Sequence, residues 1–203
     1  MSAKKFSDKI AIIALVFAGA LGLCACGDRE ESGATYLSLE KDGTVRSHIE
    51  ESFEQSYYSK EELLQSIQAQ AADYNKSAGG GQITVDKVEV ANGVTDVLMT
   101  YPGAEDYAAF NEEVFFVGTA SQAQEAGYDL NVVLSGVGNA QETVGKPDIL
   151  AMEDARLLIM DIAEPVKLGG KALYISDNAT VSQNAKTAWR IHGESGLVYV
   201  IFK

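Results

Sequence analysis

The sequence predicts an α+β fold in which a mainly antiparallel sheet, built from hairpins, carries a few helices packed on one face. Extended segments are separated by the turn-forming pairs Asp42-Gly43, Asn92-Gly93 and Gly169-Gly170. Such short turns join antiparallel strands, whereas parallel strands need long crossovers. Only one long segment has the apolar period of a helix, so strands should dominate.

The first hairpin is predicted between residues 35 and 49. Thr35, Leu37 and Leu39 alternate with other side chains, and residues 41–43 supply the turn before a second extended segment, residues 44–49.

The clearest helix should begin after Ser59 and run to about Lys76. Ser59 and Glu62 have the spacing of a capping box. Apolar residues then recur with a period near 3.6: Leu63, Leu64, Ile67, Ala71 and Tyr74.

A second hairpin is predicted on either side of Asn92-Gly93. The apolar alternation slips by one position between Val85 and Val88, which indicates a β-bulge. The returning strand should run from Val94 to Tyr101.

The middle of the chain is predicted to alternate between short helices and strands before a long loop. The expected elements are a helix over 104–111, a strand over 113–117, a helix over 119–126, a strand over 131–134 and a loop over 136–147.

The last third reads as β structure. Residues 157–160 are nearly all apolar, as in a strand buried on both faces. A third hairpin is predicted from residues 166–168 and 172–175 across Gly169-Gly170, and two strands, over 188–191 and 197–202, close the chain. Trp189 is expected in the core.

Residues 1–25 have the pattern of a targeting signal. Lys4, Lys5 and Lys9 precede the uncharged run Ile10–Leu23. A helix over these 14 residues would be roughly 21 Å long, short of the roughly 30 Å hydrocarbon core, so a permanent membrane span is the weaker interpretation.

The run ends in Leu23-Cys24-Ala25-Cys26-Gly27, which resembles the lipobox of bacterial lipoproteins. That resemblance implies cleavage before Cys26 and attachment of diacylglycerol to it, which places the protein on the extracytoplasmic face of the cell membrane. Cys24 follows the bulky Leu23 and fits less well. The alternative is an ordinary secretory cleavage site that leaves a free thiol. Residues 26–34 would then form the lipidated cysteine and a flexible tether, and residues 35–203 a single domain.

The charge balance restricts the partners. Removing residues 1–25 takes away three Lys and one Asp and leaves 13 basic and 28 acidic residues, a net charge of −15. An acidic protein repels phosphates, which argues against nucleic acid and against binding of anionic lipid through the folded part. Cys24 would be removed with the signal and Cys26 would carry the lipid, so we expect neither a disulfide nor a thiolate metal site.

No sequence motif indicates catalysis, a metal or a cofactor. The only histidines, His48 and His192, are 144 positions apart and show no metal-binding spacing. Neighbouring carboxylate pairs such as Glu112-Glu113 do not converge on one bond, as glycoside hydrolysis requires. Serine-nucleophile and phosphate-loop motifs are missing as well.

Aromatic residues near predicted loops are the one positive signal for binding. Tyr101, Tyr107 and Tyr128 are the candidate contact residues, because amphipathic rings are common at interfaces. The alternative is that these rings belong to the hydrophobic core.

Three segments of the folded part resemble a group of uncharacterised lipoproteins of Gram-positive anaerobes. They are Tyr101–Asn111, Phe116–Thr119 with Ala126–Asp129, and Leu173–Asn178. This resemblance implies an envelope-anchored domain without an assigned activity. We therefore expect a non-catalytic binding or interaction module with an envelope protein or cell-wall partner. The alternative is an envelope hydrolase that uses carboxylates or a histidine.

Overall fold

The structure is a computed structural model that describes residues 35–53, 59–77 and 82–203. Thirteen strands and four helices lie in these ranges. The strands are β1 (Tyr36–Leu39), β2 (Val45–Ser52), β3 (Thr84–Ala91), β4 (Val94–Tyr101), β5 (Phe115–Gly118), β6 (Leu134–Gly136), β7 (Thr143–Val144), β8 (Arg156–Met160), β9 (Val166–Lys167), β10 (Ala172–Ile175), β11 (Ala179–Val181), β12 (Thr187–Arg190) and β13 (Val198–Phe202). The helices are α1 (Lys60–Ser77), α2 (Ala104–Asn111), α3 (Ala120–Glu125) and α4 (Lys146–Ala151).

The strands form two mostly antiparallel sheets, which confirms the predicted α+β class. Sheet A has the order β11-β12-β9-β1-β2-β4-β3, and only its β1–β9 pair is parallel. Sheet B has the order β5-β8-β13-β10-β6-β7.

The first two predicted hairpins are confirmed. Strands β1 and β2 pair in antiparallel register, and so do β3 and β4. Asn92 and Gly93 have φ values of 53° and 75°, as in the tight hairpin turn that this residue pair favours. The predicted bulge lies between Val85 and Lys87.

The predicted helix α1 is confirmed, with half of its capping box. The Ser59 hydroxyl accepts a hydrogen bond from the Glu62 backbone N–H at 3.3 Å, while the same hydroxyl donates to Glu61. Ile67 and Ala71 of the predicted apolar stripe are its buried residues.

The third predicted hairpin is wrong. Strand β9 pairs with β1 and β12 in sheet A, whereas β10 pairs with β13 and β6 in sheet B. Gly169-Gly170 therefore carries the chain from one sheet to the other. A Cβ on Gly169 would lie 2.9 Å from the carbonyl oxygen of Leu39, and one on Gly170 would lie 2.5 Å from the carbonyl carbon of Lys203. Close packing of backbones, not a turn, requires these glycines.

Two more predicted segments differ from the structure. Only Leu134 of the predicted strand over 131–134 is in β6, and helix α4 begins inside the predicted loop over 136–147. The loop was predicted because the segment is polar and contains glycine. Pro147 lies in the first turn of α4, where proline is favourable. The Asp148 carboxylate accepts from the Gly145 backbone N–H at 3.1 Å and caps this helix.

Two hydrophobic cores share sheet B. The first lies between the two sheets and includes Leu158 and Met160 of β8 together with residues of α1 and α2. The second covers the opposite face of sheet B, where Leu157 and Ile159 contact α3 and α4. Side chains alternate across a strand, so one apolar strand serves both cores, as predicted for residues 157–160.

Candidate binding surface

Two of the three predicted contact residues belong to the core. The side chains of Tyr101 and Tyr107 are 1% and 6% exposed and meet edge to face, with ring centroids 5.1 Å apart. Tyr128 is partly buried against Phe116 at 5.1 Å. The core alternative therefore holds for Tyr101 and Tyr107, and neither ring is accessible to a partner.

Tyr107 has one polar connection to the surface. Its hydroxyl donates a hydrogen bond of 2.7 Å to Glu113, a residue that is itself exposed. Removal of water around this contact raises the pKa of the Glu113 carboxyl, and Glu164 and Asp161 add to the rise. Burial and the Glu113 charge also raise the pKa of Tyr107. This pair anchors α2 to the start of β5 and leaves the phenol neutral.

The outer face of sheet A is a more accessible surface. We use this name for the side of the sheet that points away from the inter-sheet core. None of its residues is buried. They are Tyr36, Ser38, Arg46, His48, Glu50, Ser52, Thr84, Lys87, Glu89, Ala91, Val94, Asp96, Leu98, Thr100, Lys167, Thr180, Thr187 and Trp189.

A row of contacts crosses five neighbouring strands on this face. The Lys167 ammonium lies 3.5 Å from the centroid of the Tyr36 ring, and that ring meets His48 edge-on at 5.0 Å. His48 Nε2 is 3.0 Å from Asp96 Oδ1, and Lys87 Nζ is 2.6 Å from Asp96 Oδ2. We call these five residues, Lys167, Tyr36, His48, Asp96 and Lys87, the cross-strand row.

Charge pairing fixes the protonation states at one end of the row. The Lys87 hydrogen bond holds the pKa of Asp96 below its ordinary value, with His48 as a further contributor. Hydrogen bonds from Lys87 to Asp96 and Glu89 raise the pKa of the lysine. Lys87 and Asp96 are therefore both ionised at neutral pH, and their ion pair joins β3 to β4.

His48 lies beside a carboxylate but is poorly placed to act as a base. Its Nε2 atom is engaged by Asp96, and its Nδ1 atom is buried and has no hydrogen-bond partner among the residues that the structure describes. A general base must reach the proton it removes. His192 is exposed in the turn after β12.

The described residues contain neither a metal-binding cluster nor a membrane-spanning helix. Residues 35–53, 59–77 and 82–203 hold no group of three or more His, Cys, Asp or Glu side chains arranged to bind a metal ion. None of the four helices is both long and apolar enough to cross a membrane. Cys26, the predicted lipidation site, and its tether lie outside the described residues.

No family model, curated protein or solved structure matches this chain. Similarity to known proteins therefore gives no information about the outer face of sheet A, and its role is inferred from its geometry.

The cross-strand row was not predicted from the sequence. Its five residues come from β9, β1, β2, β4 and β3, and the β1–β9 pairing that brings Lys167 to Tyr36 joins distant parts of the chain. Trp189 was expected in the core and instead lies partly exposed on the outer face. The alternation of β12 carries a weak signal for the orientation of Trp189. The neighbouring Ala188 is fully buried and points inward, so Trp189 must point to the outer face.

Proposed function

We propose that this chain is a membrane-anchored extracytoplasmic lipoprotein whose folded part is a non-catalytic binding module for an envelope protein or a cell-wall component. The anchor is diacylglycerol on Cys26. Its support is the basic start, the apolar run and the lipobox-like sequence before that cysteine. A single acyl chain binds membranes only marginally, whereas the two chains of diacylglycerol hold a protein stably.

The open outer face of sheet A, with its ordered row of side chains, is the observation that carries the binding role. Tyr36 is partly exposed and held between Lys167 and His48. Side chains that are already ordered lose less entropy when a partner binds. Tyrosine, tryptophan and arginine are also the residues most enriched among binding hot spots.

The hydrolase alternative has less support. Both nitrogens of His48 are withdrawn from solvent or engaged, and the hydroxyl that donates to Glu113 is a core phenol. We therefore favour binding over catalysis.

Replacing Cys26 tests the anchor. The variant C26A should appear in the medium or accumulate as uncleaved precursor, because it cannot receive lipid. Cell fractionation and intact-mass measurement follow the outcome, with C24A as the matched control that should remain lipidated. Wild-type membrane attachment of C26A at the processed mass would contradict the anchor.

Site-specific photocrosslinking in intact cells tests the binding surface. A photoreactive residue at Thr187, on the outer face beside Lys167, should form a discrete adduct. The control position is Gln124, which is exposed on α3 at the far side of sheet B. The adduct from position 187 should disappear when Tyr36 is changed to Ser. Equal adducts from both positions, or an adduct insensitive to Y36S, would reject the outer face as the contact surface.

A further inference from the structure

An open cleft of about 690 Å³ lies at one end of sheet A, between the β1–β2 turn and the crossover through Gly169-Gly170. Drug-sized ligands occupy pockets of roughly 300–1,000 Å³, so this cleft has room for more than a single small ion. Ser38 and Arg46 belong both to its lining and to the outer face of sheet A. The cleft therefore continues the candidate binding surface.

Positive charge is concentrated in this cleft although the protein is acidic. The described residues include 12 Lys and Arg and 24 Asp and Glu. Five of the basic residues but only two of the acidic ones line the cleft. The basic residues are Lys41, Arg46, Lys171, Lys186 and Lys203.

Few of these charges are neutralised by the protein. Lys203 lies 3.6 Å from Asp154, and the other four form no ion pair with the described residues. Asp42, one of the two acids, accepts a hydrogen bond of 3.0 Å from the Thr44 backbone N–H. The cleft thus holds five exposed basic residues against two acidic ones, an excess of positive charge.

The glycine pair lines the same cleft. Leu168 and Lys171, on either side, donate their N–H groups to Lys186 and Lys203. The N–H groups of Gly169 and Gly170 have no acceptor in the described ranges. Backbone N–H groups can donate to phosphate oxygens, and lysine ammonium groups are common phosphate partners.

We infer that this cleft binds a ligand that carries phosphate. The net negative charge of the protein does not prevent this, because charges farther away than about 8 Å are largely screened at physiological salt. The inference names a ligand class for the proposed binding module and rests on that function. Two sources have the same chemistry: the headgroup of an anionic phospholipid, and a free or wall-linked phosphate compound.

Lysine acylation footprinting of the full chain in neutral-detergent micelles tests the inference. Tripolyphosphate is the probe, citrate is the carboxylate control, and ionic strength is kept constant with sodium chloride. At about ten times Kd, tripolyphosphate should slow acylation of Lys41, Lys171 and Lys186 roughly tenfold, because only the free fraction reacts. Lys60 and Lys76 are exposed on α1, outside the cleft, and should react at unchanged rates.

Charge reversal provides a second measurement. The variant K171E/K186E should bind tripolyphosphate at least about tenfold more weakly, whereas K60E/K76E, with the same change in net charge, should bind as wild type does. Circular dichroism checks that both variants fold. If one of the variants does not fold, the acylation footprint of the wild-type protein still tests the inference.

Liposomes distinguish the two sources. If a phospholipid headgroup is the ligand, phosphatidylglycerol in place of neutral lipid should protect the cleft lysines of the reconstituted chain. If the source is soluble or wall-linked, only tripolyphosphate should protect them. Equal slowing of all lysines, or equal protection by citrate, would overturn the phosphate assignment. If the cleft lysines show no phosphate-specific protection but the photocrosslinked adduct at position 187 still forms, only the ligand class is rejected. If neither the protection nor the adduct is observed, the binding function is rejected as well.

Discussion

Gly170→Ala should destabilise the fold, because the added methyl group has no space. Its Cβ would lie 2.5 Å from the carbonyl carbon of Lys203, about 1 Å inside ordinary van der Waals contact. The crossover and the end of β13 must therefore separate. That movement strains two backbone hydrogen bonds, Lys171 N–H to Lys203 O at 2.8 Å and Lys203 N–H to Lys171 O at 2.9 Å.

The size of the effect follows from these two bonds. Each backbone hydrogen bond contributes a net of about 0.5–1.5 kcal/mol, so the free energy of unfolding should fall by about 1–3 kcal/mol. Overpacking of a dense site costs about the same, roughly 1–3 kcal/mol. For a protein of this size, the corresponding fall in Tm is roughly 2–12 °C.

Urea unfolding followed by circular dichroism measures the change, and Gly138→Ala is the matched control. A Cβ on Gly138 would meet nothing within 4 Å, and its φ is not in the left-handed region. That variant should be unchanged or up to about 1 kcal/mol more stable, since alanine restricts the unfolded chain. If G170A and G138A unfold at the same urea concentration, the steric explanation of the glycine pair is wrong.

Three further perturbations have directional outcomes. Glu113→Gln keeps an acceptor for the Tyr107 hydroxyl but removes a carboxyl whose folded pKa is raised. The stability of the wild type should therefore fall as pH rises from about 4.5 through the folded pKa. The Tm of E113Q should exceed that of the wild type by more at pH 7 than at pH 4. The control E112Q, at the exposed neighbouring residue, should show no such pH dependence. Asp96→Asn removes a carboxylate whose folded pKa is lowered. The free energy of unfolding should therefore fall by about 1 kcal/mol or less at pH 7, and by progressively less as pH falls below about 3.8. A loss of stability in thermal melts that does not depend on pH would contradict the charge pairing of the cross-strand row. Leu158→Ala, at a fully buried position of β8, should lower the free energy of unfolding by about 2–5 kcal/mol in urea, and a loss below about 1 kcal/mol would show that the inter-sheet core is poorly packed there.

Local elements could be predicted because their signals lie within a few residues. Asn92-Gly93 specifies a hairpin by backbone conformation alone, and the bulge after Val85 shows as a slip in the apolar alternation. Gly169-Gly170 failed as a hairpin signal because the same residues also permit close backbone approach. A glycine pair shows that space is limited or φ is unusual, but it does not identify the pairing partner.

The candidate sites were harder to predict, because burial depends on tertiary contacts. Tyr101 was named as a candidate contact residue because it lies beside a predicted loop, with the core as the alternative. It shares the inward side of β4 with Val97 and Met99, and that alternation was visible in the sequence. The basic cleft gathers side chains from the β1–β2 turn and from residues 171, 186 and 203. No window of the sequence contains that cluster, and a net charge of −15 conceals it.

The position of β13 has a consequence for how the protein is made. This strand is the last of the thirteen described strands, yet it lies in the middle of sheet B between β8 and β10, and all five of its residues are buried. Neither core can close before it arrives, so the apolar β8 must wait for nearly the whole chain to emerge. A chain interrupted anywhere before residue 198 would lose the centre of sheet B and not merely an edge. Synthesis must therefore pass residue 202 before the two-sheet core can form, and shorter chains remain accessible to cellular proteases.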